Sequence, residues 1–145
     1  MRKHSVVFAS YQRGERVADT TQVYLLDAMG ELVNFYAASD VAFVGGSLKP
    51  FGGQNTLEPA GLGIPIIVGP DTHNFTDINR KLENAGALRT VVDVEQLARV
   101  LVELSSDSNQ RDKMGQSARS VFFANSGAVE QVEQILMVFL RGTKQ

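Results

Sequence analysis

The chain has 145 residues, 43% hydrophobic and 21% charged, enough for one domain with a sizeable buried core. A net charge of −2 argues against nucleic acid or an anionic membrane surface as the main partner. The absence of cysteine excludes a disulfide scaffold and a thiolate metal site, and it fits a reducing cytoplasm.

The opening residues "MRKHSVVFAS" are basic and then briefly apolar. The apolar part is too short for a signal-peptide core, so Ser5–Ala9 reads as a strand. No apolar run approaches the roughly 20 residues that span a bilayer. "TQVYLL" (Thr21–Leu26) is a second strand. In "DAMGELVNFYAASD", Leu32, Val33, Phe35, Tyr36 and Ala37 predict a short helix ending before Asp40. "VAFVGG" is a continuous apolar strand, the kind buried on both faces of a parallel sheet. A helix then starts at Asn55 or Thr56 and ends near Gly61 or Gly63. "IPIIVG" is another buried strand, with Pro65 at its entrance. From Asn74 to Gly86, Phe75, Ile78, Leu82 and Ala85 recur at helical spacing, and Gly86 is the stop. "LRTVV" (Leu88–Val92) is a short strand. Asp93 with Gln96 predicts a capped helix carrying Leu97, Val100, Leu101 and Leu104 on one face. Asp107 or Ser108 opens a helix to about Phe123, and Ser126 a last one striped by Val129, Val132, Ile135, Leu136 and Phe139.

Strands alternating with helices predict an α/β fold, a Rossmann-like parallel sheet with helices on both faces, in a single domain over residues 1–145. Ligands of such sheets bind beyond the carboxyl ends of the strands. The glycine turns after Val44 and Val68 lie there.

Gly45, Gly46 and Ser47 form either a tight turn or a place where backbone N–H groups meet an anion. In "GGQNTLEP", Asn55 is a good N-cap, and Glu58 falls in the first turn, where the helix dipole favours a carboxylate. The same geometry suits a phosphate at the helix start and a carboxylate that accepts from a ribose diol. In "DAMGEL", Asp27 either caps the following helix or belongs to a turn that presents Met29 and backbone groups to a base. Asp71, His73 and Asp77 in "GPDTHNFTD" lack clear metal-ligand spacing and read as a capping cluster, so no metal site is expected.

Taken in order, "DAMGEL", "VAFVGGSL" and "GGQNTLEPAGLGIPIIVGPDTHNF" resemble the 3-deoxy-D-manno-octulosonic acid (Kdo) transferases. The resemblance runs from about Gln22 to the end and is densest between Asp27 and Asp77. It implies the C-terminal, donor-binding half of a GT-B glycosyltransferase, an architecture of two facing Rossmann-like domains. It implies transfer of Kdo from CMP-Kdo to a lipid A precursor in lipopolysaccharide synthesis, inverting at the anomeric carbon, with no cofactor and no tightly bound metal. The catalytic glutamate base and the acceptor site belong to the family's N-terminal domain, so the chain alone is expected to be inactive. The whole enzyme is expected at the cytoplasmic face of the bacterial inner membrane, and this chain is expected to be soluble.

Matched position by position, Asp27, Met29, Gly30 and Glu31 fall on the family's run beside the nucleotide. Gly45, Gly46 and Ser47 fall on its glycine turn, Asn55 near the phosphate, and Glu58 at the ribose. Asn74 and Phe75 match the element after the next strand. Ala28 stands where the family often has Thr, and Gln54 where it often has His. Gln54 cannot take a proton near neutral pH, so no acid–base role is carried over to it. The family's opening strand–helix–strand, with its basic, proline-containing element, has no match here. Two other readings stay open: a GT-B transferase or epimerase using UDP, and a non-catalytic domain whose glycine turns are purely structural.

Overall fold

The computed structural model describes the backbone of residues 6–142 and side chains through residue 125. The chain forms two compact units, Met1–Phe35 and Tyr36–Gln145. The first holds β1 (Phe8–Ser10) and β2 (Val23–Leu25), paired in parallel with Phe8 opposite Val23. Tyr24 stacks on Phe35 with ring centroids 5.7 Å apart, and Tyr11 meets both rings edge-on. α1 (Leu32–Ala37) carries the chain from the first unit into the second.

The second unit contains a three-stranded parallel sheet in the order β3 (Ala42–Val44), β4 (Ile66–Val68), β5 (Leu88–Thr90). Ala42 pairs with Ile66, and Ile66 with Leu88. α2 (Leu57–Leu62) lies between β3 and β4, and a 3-10 turn (His73–Phe75) leads into α3 (Thr76–Asn84) before β5. α4 (Val94–Ser106) and α5 (Ser108–Gly142) follow.

Alternation along the strands divides the core between two faces. Val44, Ile66, Val68 and Leu88 pack with Ala60 of α2, Leu82 of α3 and Ala118 of α5. Ile67 faces the other way, with Val91, Val100 and Leu104 of α4 and Met114 of α5. Burying one such Ile or Leu side chain contributes about 1.5–3 kcal/mol, so both helical layers are fixed by the sheet between them. The expected parallel sheet with helices on both faces is therefore what the second unit forms.

Each strand is three residues long, shorter than the sequence suggests. Of the expected first strand, Ser5 lies outside the described residues, and the strand formed is Phe8–Ser10. The helix caps follow expectation closely. Asp93 accepts from the Gln96 N–H at 2.7 Å, and Gln96 Oε1 accepts from the Val92 N–H at 2.8 Å. Asp107 accepts from the Gln110 N–H at 2.9 Å. The break expected at Ser126 does not occur: α5 continues through it to Gly142. A glycine inside a helix costs only about 1 kcal/mol, which propagation from both sides outweighs. The apolar stripe expected between Val129 and Phe139 lies outside the described side chains.

Candidate functional site

The carboxyl ends of β3 and β4 are joined through one side chain. Ser47 is fully buried. Its hydroxyl donates to the Val44 carbonyl at 2.6 Å and accepts from the Gly69 N–H at 2.8 Å. Val44 closes β3, and Gly69 immediately follows β4, so Ser47 ends both strands at once. A methyl group on Gly69 would overlap the Ser47 carbonyl, which is why no larger residue fits there. Ser47 was expected among the donor-binding residues; the structure places its side chain inward, behind the turn.

Further bonds fasten the glycine loop after β3 to the loop after β4. The Gly53 N–H donates to the Gly46 carbonyl at 2.9 Å. The Asp71 N–H donates to the Ser47 carbonyl at 3.0 Å, and the Asn74 N–H to the Gly52 carbonyl at 3.2 Å. Asn74 Nδ2 reaches the Phe51 carbonyl at 3.3 Å. Among the described residues the N–H groups of Gly45, Gly46 and Gly52 have no protein acceptor. The structure thus brings Gly45, Gly46 and Asn74, three of the expected site residues, to one ledge with unpaired backbone donors.

Asn55 and Glu58 open α2 beside that ledge. Asn55 Oδ1 accepts from the Leu57 N–H at 3.0 Å, the bond of an N-cap. Its Nδ2 donates to Glu58 Oε1 at 3.1 Å, a variant of the capping box in which the cap's amide replaces its backbone N–H. Thr56, fully buried, donates from Oγ1 to Asn79 Oδ1 at 2.6 Å and pins the start of α2 to α3. α2 has only six residues, so its dipole is short, and the unpaired backbone donors beside this end are the glycine N–H groups. Tyr36 also belongs here, which its place in an amphipathic pattern did not reveal. Burial, with the Glu58 charge nearby, holds its hydroxyl above the ordinary phenol range.

Asp27, Met29, Gly30 and Glu31 lie in the first unit. Asp27 does not cap α1. Its Oδ2 accepts from Ser10 Oγ and its Oδ1 from the Gln12 N–H, both at 2.8 Å, so it ties the end of β2 to the end of β1. The Gln12 N–H and then the Ser10 hydroxyl hold its carboxyl below the usual carboxylate range. Met29 is 98% exposed and Gly30 has φ +87°, the left-handed geometry that favours glycine, so "AMG" is a projecting turn. The Glu31 carbonyl accepts from Asn34 and Phe35 N–H groups and starts α1, while its carboxylate holds Asn34 Nδ2 at 2.9 Å.

Residues 12–121 match the profile of the family Glycosyl transferases group 1. The chain is 36% identical over 141 residues to the 3-deoxy-D-manno-octulosonic acid transferase of Haemophilus influenzae, covering 97% of this chain and 33% of that protein. The enzyme of the same name from Bordetella pertussis is 39% identical over 109 residues, 75% of this chain and 26% of that one. Among solved structures, the C-terminal CMP-Kdo binding domain of WaaA from Acinetobacter baumannii superposes with a TM-score of 0.77 at 35% identity. That match covers 80% of this chain and 61% of the other. The chain thus spans about a third of the length of the curated relatives it matches.

Proposed function

The chain belongs to the group 1 glycosyl transferases, and from that premise we propose that it is the donor-binding part of a Kdo transferase. It binds CMP-Kdo, with the phosphate on the N–H groups of Gly45, Gly46 and Gly52 and the ribose diol on the Glu58 carboxylate. Asn55 fixes Glu58 through the bond between them, and Asn74 holds the Gly52 turn. Ser47 supports the turn from behind. Within the first unit, Asp27 holds the "AMG" turn of Met29 and Gly30 through its bonds to Ser10 and Gln12, and Glu31 starts α1 after that turn. The observation that carries this reading is the ledge itself: two loops at strand carboxyl ends, bonded to one another, with unpaired backbone donors.

In the transfer step the acceptor hydroxyl attacks the anomeric carbon of Kdo with inversion. The bond from that carbon to the phosphate oxygen breaks, and CMP leaves carrying an extra negative charge. Backbone donors already aimed at the phosphate stabilise that charge without rearranging. The hydroxyl proton passes to a carboxylate supplied by a second domain, which also holds the lipid A precursor. The reaction is placed at the cytoplasmic face of the inner membrane, where lipopolysaccharide synthesis begins. Among the described residues no helix is long and apolar enough to cross a membrane.

Calorimetric titration of the chain with CMP and with UMP tests the proposal. CMP should bind at least about tenfold more tightly, the value of one well-placed hydrogen bond at the base. Equal affinities would favour a UDP-sugar donor, and absence of both would favour a purely structural role for the glycine turns.

A further inference from the structure

The glycine ledge is filled at one end and open at the other. At Gly52 the spot a methyl group would take is filled by the Asn74 and His73 side chains, with His73 Nε2 at 2.7 Å. At Gly46, which has φ +70°, the same spot has the Gly53 Cα at 3.7 Å and Gln54 Nε2 at 3.8 Å as its nearest neighbours beyond the turn. These are ordinary van der Waals separations, so an atom fits there without displacing anything. Nothing lies within 4 Å of the corresponding spot on Gly45, so the space is open on that side.

Gln54 is the side chain that borders this space. Of the neutral polar side chains between β3 and α2, Ser47, Asn55 and Thr56 are committed to protein partners. Asn74, from the facing loop, spends its amide on the Phe51 carbonyl. Gln54 is exposed, and among the described residues its amide makes no hydrogen bond. The Gly46 N–H is also without a protein acceptor among them. Two unpaired donors, one from the backbone and one from a side chain, thus belong to one open space. An oxygen about 0.9 Å nearer to Nε2 than the empty methyl spot would stand at the usual N–H···O separation of about 2.9 Å.

We infer that Gln54 is a direct side-chain ligand of the donor phosphate, donating from Nε2 to an oxygen held over Gly46. This rests on the donor-binding reading above. A hydrogen bond from an amide to an anion is charge-assisted and roughly twice as strong as a neutral one. Ordering an exposed Gln side chain offsets part of that gain. The amide is neutral and donor and acceptor at once, so it steadies the charge that grows on the phosphate as CMP leaves and transfers no proton.

The test is titration of the 145-residue chain with CMP and with cytidine, which lacks the phosphate, followed by calorimetry and by the side-chain amide 15N–1H signals. Gln54→Leu keeps the bulk without the donor and identifies the Gln54 signal. It should bind CMP about tenfold more weakly than the native chain. Gln54→Glu keeps the shape but offers only a charged acceptor, and should bind CMP at least as weakly as Gln54→Leu. Both variants should melt at the native temperature, because the side chain makes no bond in the free chain. In the native chain the Gln54 amide should shift with CMP over the same concentration range as the Gly46 N–H, and should not shift with cytidine. Native CMP affinity in Gln54→Leu, or a Gln54 amide that stays put while Gly46 shifts, would overturn this inference and leave the donor-binding reading standing. No response to CMP anywhere would overturn the donor-binding reading, and the role of Gln54 with it.

Discussion

Replacing Ser47 by Ala separates a strut from a ligand. The hydroxyl makes two internal bonds, to the Val44 carbonyl and from the Gly69 N–H, at a fully buried position. Its loss removes about 1 kcal/mol for each bond and leaves the Gly69 N–H without a partner, for a total of about 2–3 kcal/mol. At about 2.1 cal/mol/K per residue, unfolding of 145 residues has an entropy of about 0.6 kcal/mol for every 2 °C, so Tm should fall by about 8 °C. Circular dichroism during heating measures the shift, and CMP titration well below the new midpoint measures binding by the folded protein. The expected pattern is a large loss of stability with at most a severalfold loss of affinity. An unchanged Tm with abolished CMP binding would refute the reasoning, because the hydroxyl would then be spent on the donor.

Three further outcomes follow from the same geometry. Glu58→Gln should weaken CMP binding about tenfold and should erase the preference for CMP over its 2′-deoxy form; a preference that survives would place the ribose elsewhere. Asp27 has a lowered folded pKa, so its contribution to stability is present above the unfolded value of about 3.8 and is lost as pH falls through the lower folded value. Asp27→Asn should therefore flatten the acid limb of stability against pH below about pH 4, and an unchanged limb would show that the Ser10 and Gln12 bonds do not matter. Asp93→Ala removes the side-chain cap of α4 and should cost about 1 kcal/mol, or about 3 °C in Tm, without changing CMP affinity.

What could be read from the chain was what depends on near neighbours. Asp93 with Gln96, and Asn55 with Glu58, are three residues apart, and a helix start brings such residues together whatever surrounds them. The alternation of buried strands and helical patterns fixed the fold class for the same reason. Strand lengths were overestimated because Ser47 ends β3 through a bond to Gly69, 22 residues away, which no local pattern encodes. The inward direction of Ser47, the approach of Tyr36 to Glu58, and the meeting of His73 with Gly52 are likewise long-range. Asp27 was read as a cap or a nucleotide neighbour, because its partners Ser10 and Gln12 lie on another strand's exit. The order of the three sequence elements from "DAMGEL" to "GPDTHNF" pointed to a family that local physics alone left open.

The central claim is that the ledge formed by the loops after β3 and β4 is a CMP site. A residue-by-residue CMP titration of the chain, followed by backbone and side-chain 15N–1H spectra, tests it most directly. Saturable shifts concentrated at Gly45, Gly46, Gly52, Asn55, Glu58 and Asn74, and much weaker with UMP, are the result predicted. Shifts confined to residues away from this ledge, or identical for the two nucleotides, would contradict it.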